Sequence, residues 1–211
     1  MSEPFAELDA FVEECRLIEQ TLADVPEGAW ARPGLGEWTL GELTAHVMGG
    51  AARLDEYLGK SVEAATASRD RVSYFRYDPE AIAAEVAERA RRAAAELDPA
   101  DLPSRFAEAW RRSAASASAA SADRLVAPYW GVMRLDEYTA TRVLEMVVHH
   151  MDIRGALDLP PLSSPSASRM TMELLEGLLG APRPRNMGRT RFILAATGRL
   201  EVEDPRFPVM G

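Results

Sequence analysis

Between Phe5 and Val25 apolar side chains recur every three or four residues (Phe5, Leu8, Val12, Cys15, Ile18, Leu22, Val25), the spacing of a helix with one buried face. Pro26, Gly28, Pro33, Gly34 and Gly36 then erase the period, and Trp30 and Trp38 sit among them, so 26–38 is expected to be a loop pinned by its tryptophans. Thr39 and Glu42 have the spacing of a capping box, in which each side chain satisfies a backbone N–H at the start of a helix. The helix opened there, 40–58, carries Leu40, Leu43, Val47, Leu54 and Leu58 as its stripe. Gly49 and Gly50 each weaken it by about 1 kcal/mol relative to alanine, which points to close packing or a pocket beside them.

Residues 59–77 have no helical period and are expected to form an exposed loop over one end of the helices. Asp78 and Pro79 suit an N-cap and a first helical position, opening a helix 79–97 with Ile82, Val86, Ala90, Ala93 and Leu97 inward, until DPADLP ends it. A further helix is expected from Ser104 to 122, anchored by Phe106 and Trp110. Its second half, SAASASAASA, could pass for a linker, but small side chains favour a thin, closely packed helix. Pro128 and Gly131 among β-favouring residues make 124–135 an extended crossing segment. Asp136 is a candidate cap for a long helix, 136–157, whose core stripe is Leu144, Val147, Val148 and Met151. A Pro/Ser hinge at 159–165 precedes a short helix over Ala167 to Leu178, ended by Gly180. TRFILAATGRL then reads as a buried strand or a short helix ending at Gly198. There is no internal repeat.

Length and charge narrow the possibilities. At 211 residues the chain suits one domain, or one with a small appendage. A net charge of −9, with arginines interspersed among carboxylates, argues against a nucleic-acid partner. No apolar run reaches the length of a membrane span and MSEPFAEL carries no signal-peptide pattern, so a soluble, cytoplasmic protein is expected. Cys15 is the single cysteine, which excludes an intrachain disulfide and a thiolate metal cage; its place in an apolar stripe suits a small buried hydrophobe.

The chemistry concentrates on three histidines. Glu145 and His149 stand four residues apart and share a helix face, with Arg142 and Asp152 beside them. Such a pair is half a metal site, or a surface glutamate beside a core histidine; chance alone places a carboxylate there about one time in three, so spacing does not decide. His46, beside the stripe of the 40–58 helix, points into a bundle or its edge and must satisfy both ring nitrogens with hydrogen bonds or a metal. His150 turns about 100° away from His149 and suits packing or a polar contact. The arginines at 183, 185, 189, 191 and 199 form either a small anion-recognising edge, with Arg189, Arg191 and Arg199 the main candidates, or a solvated loop.

Three stretches, GEWTLGELTAHV around His46, TRVLEMVVHHMDI around His149 and the late LAATGR, give the chain a resemblance to the DinB-like superfamily and, within it, the mycothiol-dependent maleylpyruvate isomerase N-terminal domain family. These landmarks span 36–199. The resemblance implies an all-α fold: a DinB-like four-helix bundle of 5–25, 40–58, 104–122 and 136–157, with the 79–97 helix inserted. It divides the chain into a metal-binding bundle, 1–158, and a short C-terminal extension, 159–211, packed on it. It implies a divalent metal, usually zinc, held by His46, Glu145 and His149 with one position open. Asp152 is then either the partner of a ligand imidazole or a capping or salt-bridging aspartate. The activity implied is isomerisation or S-transfer on a small electrophile with mycothiol as thiol cofactor, in a monomer or homodimer. A ligand-binding or stress-associated module without catalysis and a metal-dependent hydrolase are the alternatives. The isomerase proper has a distinct C-terminal domain that 159–211 does not match, so maleylpyruvate itself is not implied as the substrate.

Overall fold

Thr39 accepts a hydrogen bond from the Glu42 backbone N–H at 3.2 Å while Glu42 accepts from the Thr39 N–H at 2.7 Å, so the expected capping box opens the helix that carries His46. In the computed structural model, which describes residues 5–63, 66–76 and 80–210, the helices are α1 (Ala6–Ala23), α2 (Leu40–Leu58), α3 (Glu80–Ala95), α4 (Leu102–Ser118), α5 (Leu135–Ala156), α6 (Pro165–Leu179) and α7 (Arg189–Ala196). Two strands, β1 (Leu125–Val126) and β2 (Met133–Arg134), pair antiparallel with Leu125 opposite Arg134 and Val126 opposite Met133. The fold is all-α, with α1, α2, α4 and α5 forming a ring in which α1 packs on α5 and α4, and α2 on α4 and α5. α3 packs on α2, α6 on α5 and α1, and α7 on α6. No described helix is long and apolar enough to cross a membrane.

α5 is buried on nearly every side, with Tyr138, Val143, Leu144, Met146, Val147 and Ile153 all at 1 % exposure or less. A helix in that position faces neighbours all round instead of one core, and its polar residues Thr139, Thr141, Arg142, His149 and His150 are buried with it. Cys15 is fully buried in α1, and burial raises its thiol pKa well above the ordinary value.

Three local expectations differ from the structure. Asp136 does not cap α5. The helix leaves β2 directly at Leu135, and its first N–H groups are taken by the backbone, Leu135 N–H to Arg124 O at 2.8 Å and Asp136 N–H to Ala122 O at 2.9 Å. Asp136, inside the first turn, instead pairs with Arg134 at 2.6 Å and accepts the Glu137 N–H at 2.7 Å. α4 starts at Leu102, because a 3₁₀ turn at Pro99–Asp101, capped by Asp98, leads straight into it, and it ends at Ser118. The Ser/Ala run is helical as far as that, with Ser116 Oγ donating to Asp55 on α2 at 2.5 Å. Of the two readings left open for TRFILAATGRL, the structure has the short helix, α7. The start of α3 at Asp78 and Pro79 and the side chain of Ile82 lie outside the described residues.

The third correction bears on function. The described part of 59–77 is no exposed loop throughout: 66–76 is a strap laid along the bundle, with Tyr74 and Phe75 buried in a single 3₁₀ turn. Arg71 anchors it, donating to Glu137 on α5 at 2.7 Å and to Glu7 on α1 at 2.8 Å. The backbone N–H groups of Ser68 and Arg69 reach Val132 O at 2.8 and 3.1 Å, which ties the strap to the β1–β2 loop. Gly131 in that loop has φ +130°, and a Cβ there would stand 2.8 Å from Ser68 Oγ, so both backbone and space require glycine.

Candidate metal centre

His46 stands on the second turn of α2, and Glu145 and His149 stand one turn apart on α5. Because α2 and α5 pack against each other, the three side chains meet, and one ligand atom from each lies within 4.8 Å of the others. The His46 ring lies between Trp38, 4.9 Å away and tilted by 40°, and His149, 4.9 Å away and nearly perpendicular. Glu145 Oε2 is 3.3 Å from His149 Nε2.

The other ring nitrogen of His149 faces Asp152 Oδ2 at 3.0 Å. Asp152 is held in turn by Arg199, whose Nε reaches Oδ1 at 3.0 Å and whose Nη2 reaches Oδ2 at 2.8 Å, while Nη1 donates to Thr197 O at 2.7 Å. Arg199 arrives from beyond α7, so the last part of the chain orients the imidazole through Asp152. With Nδ1–H committed to that carboxylate, Nε2 is the nitrogen turned to Glu145 and His46.

The titration behaviour follows from these contacts. Burial resists the charge on His149, but hydrogen bonds to Asp152 and Glu145 outweigh it and lift its pKa to about 9. Burial, together with the charge of His149, pushes His46 down to about 3. Burial also resists the charge of Glu145, and the hydrogen bond from His149 and the nearby Arg142 prevail, leaving it at about 2.

The three residues border a cavity of about 490 Å³. Aromatic side chains make much of its wall, with Trp38 from the loop before α2, Tyr57 from α2, Tyr74 from the strap, Trp130 from the hairpin and Tyr138 from α5. A smaller cavity of about 120 Å³ opens beside His46 and Glu145 between α2 and α3, lined by Gly49, Gly50, Ala90 and Ala93. A Cβ at Gly49 would meet nothing within 4 Å, whereas one at Gly50 would touch Met146 Cε at 3.2 Å, so one glycine borders open space and the other a close contact.

The other candidates fall elsewhere. His150 is fully buried, with Nδ1 at 2.7 Å from Glu14 Oε1 and Nε2 at 2.9 Å from Thr21 Oγ1, a polar contact on the side away from the cavity. Arg189 and Arg191 are exposed in the first turn of α7, and Arg191 borders a separate depression with Glu201, Glu203 and Asp204. Of the three main anion candidates, Arg199 alone lines the cavity beside His46, Glu145 and His149, and its guanidinium is engaged by Asp152. Sequence reasoning missed Tyr57, Tyr74 and Tyr138; Tyr74 lies in a stretch without periodicity, which left no signal to find it.

A family model described as mycothiol maleylpyruvate isomerase N-terminal domain matches residues 11–154. That span includes His46, Glu145, His149 and Asp152 and stops before α6. No curated protein and no solved structure matches the chain.

Proposed function

The chain belongs to the mycothiol maleylpyruvate isomerase N-terminal domain family, and on that premise we propose that it is a metal-dependent enzyme that uses mycothiol for isomerisation or S-transfer on a small electrophilic substrate. One observation carries the reading: the ligand atoms of His46, Glu145 and His149 gather within 4.8 Å of one another on the wall of a roomy cavity. Two imidazole nitrogens and one carboxylate oxygen are a donor set that suits zinc, and three protein ligands leave a position open. A divalent ion held there lowers the pKa of a thiol or a water, so that a nucleophile forms at neutral pH.

The remaining work falls to side chains of the chain itself. Asp152, fixed by Arg199, holds His149 in the tautomer that presents Nε2. Trp38, Tyr57, Tyr74 and Tyr138 wall the cavity with aromatic surface, and water displaced from it would strengthen electrostatic contacts inside. In this reading 1–158 is the metal-binding bundle, and the extension 159–211 packs on it and supplies Arg199.

Protein purified without chelator is expected to hold about one equivalent of zinc or another divalent ion, lost on His46→Ala or His149→Ala. Glu145→Gln should lose most of the metal too, since an amide is a poor substitute for a carboxylate at zinc; full retention would remove Glu145 from the ligand set. Mycothiol should raise the melting temperature of the metal-loaded protein by mass action, and metal removal should abolish the shift. Absence of stoichiometric metal would sink the reading, and absence of any thiol-induced shift would sink its mycothiol part.

A further inference from the structure

Four arginines reach the cavity beside His46, Glu145 and His149: Arg53, Arg89, Arg142 and Arg199. Three have carboxylate partners, Arg53 in Glu56, Arg89 in Glu85 at 3.5 Å and Arg199 in Asp152 at 2.8 Å. Arg142 has no such partner among the described residues, yet it is the most buried of the four, at 8 % exposure. Its Nε donates to Thr141 Oγ1 at 3.1 Å, and the guanidinium lies 5.8 Å from the centre of the Tyr74 ring and 5.0 Å from that of Tyr138. The two terminal nitrogens meet no acceptor among the described residues, and the side chain lines this cavity and the smaller one beside it.

A buried cation without an ion-pair partner is costly, and aromatic faces offset part of that cost at most. Glu145, one turn along the same face, offsets part of that charge from a distance but makes no ion pair with the guanidinium, because its carboxylate is turned to His149 at 3.3 Å. What Arg142 offers instead is a planar fork of donors, the geometry that matches a carboxylate in two parallel hydrogen bonds. The phenols of Tyr74 and Tyr138 border the same space, and burial holds their protons on, so they add donors and no competing anion.

We propose that Arg142, flanked by Tyr74 and Tyr138, is a carboxylate receptor, and that the small molecule handled in this cavity bears a carboxylate that docks on it while its reactive atom faces His46, Glu145 and His149. The proposal rests on the cavity being the substrate site and does not depend on which ion the three residues hold. It also places anion recognition inside the bundle, on α5, and not on the exposed arginines of α7.

Trp38 and Trp130 line the cavity, so their fluorescence reports binding. Full-length protein should be titrated with succinate, its neutral diamide succinamide and inorganic phosphate at fixed ionic strength, as purified and again with chelator. Succinate is expected to bind in both conditions and succinamide in neither. Affinity should fall about tenfold or more in Arg142→Met, less in Arg142→Lys, and not at all in the surface control Arg191→Gln. A structural role would move the melting temperature instead. Arg142→Met is expected to keep or raise it, because an unpaired buried charge is replaced by an apolar chain; a drop of several degrees would assign the residue to packing and overturn the proposal. Phosphate binding tighter than succinate would overturn the carboxylate assignment. Succinate binding that persists in Arg142→Met and disappears with chelator would put the carboxylate on the metal, ending this proposal and leaving the metal centre standing. Binding that requires Arg142 and survives chelator supports it even if no metal is found.

Discussion

His149 sits between two carboxylates, and its protonation sets the pH behaviour of the centre. Glu145 and Asp152 lift its pKa from 6.5 to about 9, whereas His46 falls to about 3, so near neutral pH the metal-free centre holds a proton on His149 and none on His46. A folded-state pKa above the unfolded value means that the metal-free fold gains stability that is complete below about pH 6.5 and lost as pH rises through about 9. Zinc binding has the opposite trend, since an imidazole ligand must first lose its proton. Zinc affinity, measured by competition with a chelating dye, should therefore rise about tenfold per pH unit from neutrality to about pH 9 and then level off. Titration calorimetry in buffers of different ionisation enthalpy should find about one proton released per ion at neutral pH. An affinity flat across this range would exclude His149 as a protonated ligand.

At the scale of elements, the strap 66–76 and α6 determine where Tyr74 stands. Val72 of the strap presses on α6, and a Cβ added at Gly177 would lie 2.6 Å from Val72 Cγ2. Alanine for glycine inside an exposed helix gains about 1 kcal/mol in propensity. Here Gly177→Ala is expected to lower the melting temperature all the same, because a β-branched neighbour held by the Arg71 anchor has little room to yield. A calorimetric scan checks the sign, and a rise would show that the strap gives way without cost. The start of α5 teaches a related lesson. Asp136 has the residue type of a cap, but the chain before the helix delivers backbone carbonyls to the first two N–H groups and leaves the side chain to Arg134 and the Glu137 N–H.

Across the whole molecule, one buried polar cluster joins three helices. Glu14 on α1 meets His150 of α5 at 2.7 Å and accepts the Ser164 N–H at the start of α6 at 2.7 Å, and both Glu14 and His150 are fully buried. Removing one member strands the others in a low-dielectric interior, so Glu14→Ala should lose about 3 kcal/mol in urea unfolding. Pairing Glu14→Leu with His150→Leu should recover part of it, since apolar groups of similar volume leave no unsatisfied partner. A loss under about 0.5 kcal/mol for Glu14→Ala would show the cluster to be incidental.

Local forces act over a few residues, and what they govern was legible in the sequence: the stripes of α1 and α2, the Thr39–Glu42 capping box, and the face shared by Glu145, His149 and Asp152. The period of a helix and the reach of a cap are set by backbone geometry alone, so a sequence displays them without knowing its neighbours. Tertiary structure decided the rest. It brings the rings of His46 and His149 to 4.9 Å, sets Glu14 against His150 across 136 positions, turns a stretch without periodicity into the strap that carries Tyr74, and leaves Arg142, among the cavity arginines, without a carboxylate. Such pairings depend on how each helix is rotated about its axis and where each connection runs, which is settled when all the apolar faces are buried together and not by any short stretch of residues.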